Sequence, residues 1–244
     1  MPIFAVPKKD GDGNYTMCRP VADYRGLNAL LQDDAFPLPK VKDIYRALAG
    51  SHVFSTLDLK SAFHRLPVHP EHQHKTAFTW EGQQYVFRRA PFGLKTMPSK
   101  FQRLIQHLMG GLPFARAFMD DIVVYSKDME EHTRHLAAVL DILTPHNLQL
   151  NASKCRIGHV SLNLLGFVVT PTGQEIQRGK LVNVADWPVP THGKQLQHYL
   201  GFINYFREHI PMAAELTAPL DALRNEKELD GLWTDVLWTV SRAV

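Results

Sequence analysis

Apolar and polar residues change their spacing repeatedly along this chain, and each change marks an expected element. Residues 3–6 (Ile3-Phe4-Ala5-Val6) form a short apolar run ended by Pro7 and a charged, glycine-containing turn at 8–13, which reads as a strand with 15–21 as its hairpin partner. Over 38–48 the spacing becomes helical, with Val41, Ile44, Tyr45 and Leu48 on one face and Gly50 as the stop. Residues 52–59 follow as an apolar strand that reaches Asp58, and 75–80 with 84–87 alternate like a hairpin around Glu81-Gly82. A helix is expected over 98–112, with Phe101, Leu104, Ile105 and Leu108 on one side.

Residues 114–119, Asp120-Asp121 and 122–125 read as strand, tight turn and strand. An amphipathic helix covers 130–143 through Leu136, Val139, Leu140 and Leu143. A strand pair is expected from 148–150 and 164–169, turning at Pro171-Thr172-Gly173. Beyond it the pattern is helical to 224. Residues 194–207 place Leu196, Leu200 and Ile203 together, and 212–224 place Leu216, Leu220 and Leu223 together, with Pro219 bending or interrupting the second helix. The sum is an α+β chain: antiparallel strands backed by helices, then an all-helical region.

Of the 244 residues, 45% are hydrophobic and 21% charged, which suits one globular unit with subdomains and excludes a disordered chain. Residues 1–100 carry 14 Lys/Arg against 9 Asp/Glu, a balance of +5, while the whole chain has +3. A basic first half suits a polyanionic partner, although an ordinary solvated surface would read the same. Two cysteines, Cys18 and Cys155, imply no disulfide framework; Cys155 and His159 have a ligand-like spacing but lack a second pair for zinc. No apolar run reaches the ~18 residues of a membrane span. Met1-Pro2-Ile3-Phe4 leads directly into Lys8-Lys9-Asp10-Gly11, unlike a secretion signal, so the expected location is cytoplasmic by default, with nuclear access left open.

Asp120-Asp121 interrupts an otherwise apolar stretch, Phe118-Met119 before it and Ile122-Val123-Val124-Tyr125 after it. Side chains adjacent on a strand point to opposite faces, but a tight turn directs both to one edge. Two carboxylates inside an apolar hairpin repel each other and lose hydration unless a cation compensates, and Mg²⁺ suits hard oxygen ligands and phosphates. Asp58, at the end of the other apolar strand, supplies a third carboxylate. A strand-end Asp with a hairpin Asp-Asp is what two-metal phosphoryl transfer needs. The competing reading is a surface turn, where Asp-Asp is common, but the apolar flanks argue against it.

Several short stretches add to this in order. They are Val6-Pro7-Lys8-Lys9-Asp10-Gly11, Arg19-Pro20-Val21-Ala22-Asp23-Tyr24-Arg25-Gly26-Leu27-Asn28, Phe36-Pro37-Leu38-Pro39, Ser55-Thr56-Leu57-Asp58-Leu59-Lys60-Ser61-Ala62-Phe63-His64, and Pro91-Phe92-Gly93-Leu94 continuing through Pro98 to Phe101-Gln102. Then follow Phe118-Met119-Asp120-Asp121, Ser153-Lys154-Cys155, Leu165-Gly166-Phe167-Val168-Val169, Trp187-Pro188-Val189-Pro190 and Leu200-Gly201-Phe202-Ile203-Asn204-Tyr205-Phe206-Arg207. With these stretches in register over residues 3–224, the chain resembles the reverse transcriptase domain of gypsy-type LTR retrotransposon polyproteins, and more distantly that of retroviruses.

That resemblance implies a right-hand polymerase with an antiparallel-sheet palm, mixed fingers and a helical thumb. It implies fingers at 1–32 and 66–96, palm at 33–65 and 97–172, thumb at 173–224 and a connection-like tail at 225–244. Asp58, Asp120 and Asp121 match the metal triad for two Mg²⁺ ions, with Mn²⁺ as a substitute, and Asp58, Asp120, Asp121 and Lys154 match the catalytic set, Lys154 as general acid. For the incoming dNTP it implies Lys8 and Arg19 on the triphosphate, the Leu59 carbonyl as a further ligand, Phe63 under the sugar as a gate against a 2′-hydroxyl, and Phe92-Gly93 in the pocket loop. Leu165, Gly166 and Phe167 match the primer grip. Phe63 and Phe92 also read as core aromatics, Lys8 as a turn residue and Lys154 as a surface lysine.

The expected function is RNA-directed DNA polymerisation, adding deoxynucleotides to a primer on an RNA or DNA template. The alternative is an inactive retroelement fragment that only binds nucleic acid or a protein partner. Phe118 stands where the family usually has Tyr, a change that leaves the carboxylates untouched. No aspartic protease, RNase H or integrase pattern is present, so the expectation is a polymerase segment whose relatives carry RNase H and integrase in a larger polyprotein. The helical stretch 191–224 is expected to touch the template–primer duplex through Lys194, His198 and Arg207, with a fixed cap over the palm as the other reading.

Overall fold

The computed structural model describes residues 2–9, 14–177 and 187–229. The chain divides into two compact units, one of Met1–Leu162 with Val169–Gly173, the other of Asn163–Val168 with Gln174–Val244.

The centre of the first unit is a four-stranded sheet in the order β6-β7-β3-β8, built from β3 (Val53–Asp58), β6 (Ala115–Phe118), β7 (Asp121–Ser126) and β8 (Arg156–His159). β3 and β7 are the inner strands. That explains the unbroken apolar run of β7, where Ile122, Val123, Val124 and Tyr125 are all buried. Helices α3 (Met97–Met109) and α4 (Met129–Leu143) pack on this sheet. Phe101 and Ile105 from α3, Val139 and Leu143 from α4, and Leu57, Ile122 and Val124 from the strands form one core. Each such side chain contributes about 1.5–3 kcal/mol on burial. The Asp128 carboxylate caps α4 by accepting from Glu131 N–H at 2.8 Å, while Glu131 Oε2 accepts from Lys127 N–H at 2.8 Å.

Two hairpins and two short helices complete this unit. β1 (Ile3–Lys9) pairs with β2 (Tyr15–Ala22), and β4 (Phe78–Trp80) with β5 (Gln83–Tyr85). Glu81 and Gly82, with φ of 48° and 76°, make the two-residue turn whose twist suits a hairpin. Residues 70–76, part of which the sequence assigns to a strand, form a 3₁₀ segment opened by Pro70. α1 is Arg25–Leu30 and α2 is Val41–Leu48, the latter burying Ile44 and Leu48 as its spacing predicts.

The structure corrects one expected strand pair. Residues 148–150 do not pair with 164–169; Leu150 forms only an isolated bridge to Leu59. The chain turns instead through a 3₁₀ segment at Ala152–Lys154 into β8, which pairs with β3. β8 is a polar, mostly exposed edge strand, so it carries no alternating signal. Pro171-Thr172 lies between β10 (Phe167–Thr170) and β11 (Gly173–Ile176), in a sheet ordered β11-β10-β9 with β9 at Leu162–Leu164.

In the second unit α5 (Gly193–Tyr205) packs on α6 (Ala213–Leu223), with Leu196, Leu200, Ile203 and Leu220 buried together. α6 runs through Pro219 without ending there. Gly193 is required by close approach: its N–H donates to Glu226 O at 3.0 Å, and a Cβ would meet that oxygen at 2.1 Å.

Candidate active site

β3 ends on Asp58 and β7 begins on Asp121, and the antiparallel register sets these two residues opposite each other. Phe118 pairs with Asp121 across β6 and β7, so Met119 and Asp120 make a two-residue turn, with Met119 left-handed at φ 54°. Leu59 N–H donates to Asp120 O at 3.0 Å, and Asn151 N–H donates to Asp58 O at 2.8 Å. Backbone hydrogen bonds thus fix all three aspartates at one end of the sheet.

Burial pushes the Asp121 carboxyl up, and repulsion from Asp120 and Asp58 pushes it further, against a smaller opposing pull from Lys154. Lys154 Nζ stands 3.3 Å from Asp58 Oδ2, on a part-exposed ion pair. Among the described residues no three His, Cys, Asp or Glu side chains are gathered closely enough to hold a metal ion as they stand. The donor set nevertheless fits a divalent cation in kind. It offers only hard carboxylate oxygens, and their mutual repulsion is what a cation would remove.

A cavity of about 490 Å³ opens beside the aspartates, lined among others by Asp58, Asp120, Phe63, Phe92, Lys154 and Pro20. Ser61 is left-handed at φ 53° and turns the chain from β3 into a 3₁₀ segment, Ala62–Arg65, that carries Phe63 to the cavity wall. The Phe63 ring stands edge-on to Phe92 at 5.8 Å and to Phe101 at 5.7 Å. It therefore both packs on the core and lines the cavity. Leu59 lines the same cavity and is itself buried.

Phe92 is held by His64, whose ring lies 4.9 Å away edge-on and whose Nδ1 hydrogen-bonds Ala90 O at 2.9 Å. Gly93, at φ 97°, is clamped by Asn28: the amide donates to Gly93 O at 2.8 Å and accepts from Lys95 N–H at 3.0 Å. A Cβ on Gly93 would meet Tyr24 Cδ2 at 3.4 Å. Asn28 and His64 are supporting residues that the sequence did not single out as such. The signal was present, because both lie inside motif stretches.

Lys8 lies in β1, and Arg19 in β2 pairs with Val6. Both side chains fall outside the described residues, although Pro20, next to Arg19, lines the cavity. Leu165, Gly166 and Phe167 belong to the second unit. Leu165 and Gly166 are both left-handed, at φ 45° and 89°, and form a turn. Tyr205 Oη–H donates to Leu165 O at 2.5 Å, Gln177 N–H donates to Gly166 O at 3.1 Å, and Phe167 packs on Phe206 at 5.2 Å. The proposed grip is thus a braced turn within its own unit.

An antiparallel sheet backed by two helices, with carboxylates at a hairpin turn and at the end of the neighbouring strand, defines a polymerase palm. The reverse transcriptase (RNA-dependent DNA polymerase) family profile matches residues 6–202, and the chain belongs to that family. It is 33% identical over 235 residues to the Transposon Tf2-3 polyprotein of Schizosaccharomyces pombe, covering 96% of this chain and 17% of that protein. It is 32% identical over 232 residues to the Retrovirus-related Pol polyprotein from transposon 297 of Drosophila melanogaster, covering 94% of this chain and 22% of that protein. The chain thus spans about a fifth or less of these relatives.

Among solved structures, the foamy viral protease–reverse transcriptase in complex with double-stranded DNA matches with a TM-score of 0.85 at 27% identity, covering all of this chain and 43% of the other. The foamy viral protease–reverse transcriptase in complex with RNA/DNA hybrid matches with a TM-score of 0.80 at 27% identity, covering 97% of this chain and 32% of the other. The fold is therefore that of a retroviral-type polymerase domain, in a family that generally uses divalent metal ions.

Proposed function

We propose that this chain is the polymerase segment of a retroelement polyprotein and copies an RNA or DNA template by adding deoxynucleotides to a primer 3′ end. The observation that carries the reading is the placement of Asp58 opposite Asp121, with Asp120 in the adjoining turn, at the mouth of a cavity walled by Phe63, Phe92 and Lys154. Template and primer are expected partners, supported by the nucleic-acid complexes of the foamy viral relatives, and dNTPs follow from the proposed reaction.

Asp58, Asp120 and Asp121 would hold two Mg²⁺ or Mn²⁺ ions. When bound, such ions activate the primer 3′ oxygen and stabilise charge on the triphosphate. The chain's own residues do the rest. The Lys154 ammonium, which stands 3.3 Å from Asp58, gives its proton to the departing pyrophosphate. The Phe63 ring closes the space a 2′-hydroxyl would need. Phe92 and Gly93, fixed by His64 and Asn28, shape the wall against the base and template. Lys8 and Arg19 grip the triphosphate, a task suited to a flexible ammonium and a forked guanidinium. Leu165, Gly166 and Phe167 hold the primer end. Fingers at 1–32 and 66–96, palm at 33–65 and 97–172 and thumb at 173–224 complete the assignment. Lys194, His198 and Arg207, all exposed, contact sugar and phosphate without reading bases.

Primer extension on poly(rA) annealed to oligo(dT), with Mg²⁺ and then Mn²⁺, tests the reading. Extension by the wild type that Asp120→Asn and Asp121→Asn abolish supports it. A folded chain that binds the duplex but never extends it leaves only a binding module.

A further inference from the structure

β6 is an outer strand of the palm sheet, and its free edge borders the hairpin turn that carries Asp120. No strand covers that edge among the described residues, but Gln102 of α3 does part of a strand's work. Its Nε2 donates to Ala117 O at 3.0 Å, and its Oε1 accepts from Met119 N–H at 2.7 Å. These two partners flank Phe118, so one side-chain amide replaces the N–H and C=O that a residue of a parallel neighbour would present. Gln102 is 1% exposed, while its neighbour Phe101 and the next-turn residue Ile105 are fully buried, so the amide sits on a rigid stem.

The residue it holds is unusual. Met119 has a side chain yet is left-handed at φ 54°, a backbone state that crowds its Cβ and persists only where surroundings enforce it. That state directs the following Asp120. From the other side Leu59 N–H donates to Asp120 O at 3.0 Å. The turn is therefore gripped from two elements, and Gln102 is the grip on its strained residue.

We propose that Gln102 is a positioning residue for the catalytic hairpin: its side-chain amide holds Met119 left-handed and so sets where the Asp120 carboxylate stands. It touches neither substrate nor metal and acts through the backbone of Ala117 and Met119. The proposal rests on the polymerase reading for its effect on rate, but its structural half does not.

The test uses Gln102→Met, which keeps length and packing and removes the amide, alone and in a Met119→Gly background. Hydrogen exchange of the 117–121 segment, read without metal, should quicken in Gln102→Met while the rest of β3 and β7 stays protected. Single-turnover extension at saturating dNTP should fall about 10²-fold, the scale of a misplaced catalytic group, with duplex affinity and thermal midpoint close to wild type. Because glycine adopts the left-handed state freely, Gln102→Met should cost about tenfold or less when added to Met119→Gly. Unchanged exchange in 117–121 overturns the proposal. So does extension within about twofold of wild type, a loss that tracks lost duplex binding or unfolding, or equal costs in both backgrounds. Should the wild type itself not extend primers, the polymerase reading fails, and the exchange arm alone decides whether Gln102 holds the hairpin.

Discussion

Asp58 and Asp121 face each other across the β3–β7 ladder, the last residue of one strand against the first of the next. Two like charges set opposite each other destabilise a sheet, so this pairing works against the fold that carries it.

Asp121→Asn should therefore stabilise the metal-free protein. Its carboxyl is raised by burial, Asp120 and Asp58, so the folded state favours the protonated form. The group's contribution to stability is fully present below its unfolded value and is lost as pH rises through the raised folded value. In EDTA the wild-type thermal midpoint should fall across that interval, while Asp121→Asn should fall less. Each kcal/mol corresponds to about 2–4 °C in a chain of this size. Mg²⁺ should then stabilise the wild type and not the variant. Equal pH curves would show that the repulsion is relieved elsewhere.

Phe63→Ala should admit ribonucleotides, because the ring stands on the cavity wall next to Phe92. It should also cost about 2 kcal/mol of stability, since the partly buried ring packs edge-on against Phe101 and the core. Competition between rUTP and dTTP on poly(rA) measures the first effect and urea unfolding the second. Unaltered sugar discrimination in a folded variant would place the gate elsewhere.

Lys154→Ala should leave stability within about 1 kcal/mol, as expected of an exposed ion pair, yet slow single-turnover chemistry by about 10²-fold. Lys154→Arg keeps the charge beside Asp58 but is a poor acid, and should recover dNTP affinity without recovering rate. Full activity in the arginine variant would make Lys154 an electrostatic partner only.

His132 is fully buried at the start of α4 and links three strands. Its Nε2 lies 2.6 Å from Ser55 Oγ and its Nδ1 2.8 Å from Ser126 Oγ, while Gly158 N–H donates to Ser55 Oγ at 2.9 Å. Burial, and next the neighbouring His135, hold its pKa below the ordinary 6.5. A depressed histidine stabilises the fold above its unfolded value, and that stability is lost as pH falls through the folded value. Wild type should thus lose stability on acidification from about pH 6.5 downwards. His132→Gln should be less stable at pH 7 but flatter with pH. A parallel pair of curves would contradict a neutral His132.

The parts of this fold that are legible in the sequence are those where apolar runs meet a misplaced charge. The strand ending in Asp58 and the hairpin at Asp120-Asp121 stand out because carboxylates there have no ordinary reason to sit among Val and Ile. Their register is not legible, since residues 63 apart in sequence (58 and 121) are paired only by the folded sheet. β8 escapes notice because an exposed edge strand such as Arg156–His159 needs no alternation. Gln102 closes the motif stretch that runs to Phe101-Gln102, but its role is not legible there because its partners are backbone atoms 15 and 17 residues away. One signal did exist: Gln102 shares the buried face of α3 with Ile105 and Met109, a polar residue on an apolar stripe.

The most direct measurement is extension of a DNA primer on a heteropolymeric RNA template, with the product sequenced. The expected product is a faithful complement of the template, made by the wild type with Mg²⁺ or Mn²⁺ and absent with Asp121→Asn. A folded, duplex-binding wild type that yields no product, or additions that ignore the template, would contradict the assignment of Asp58, Asp120 and Asp121 as a polymerase centre.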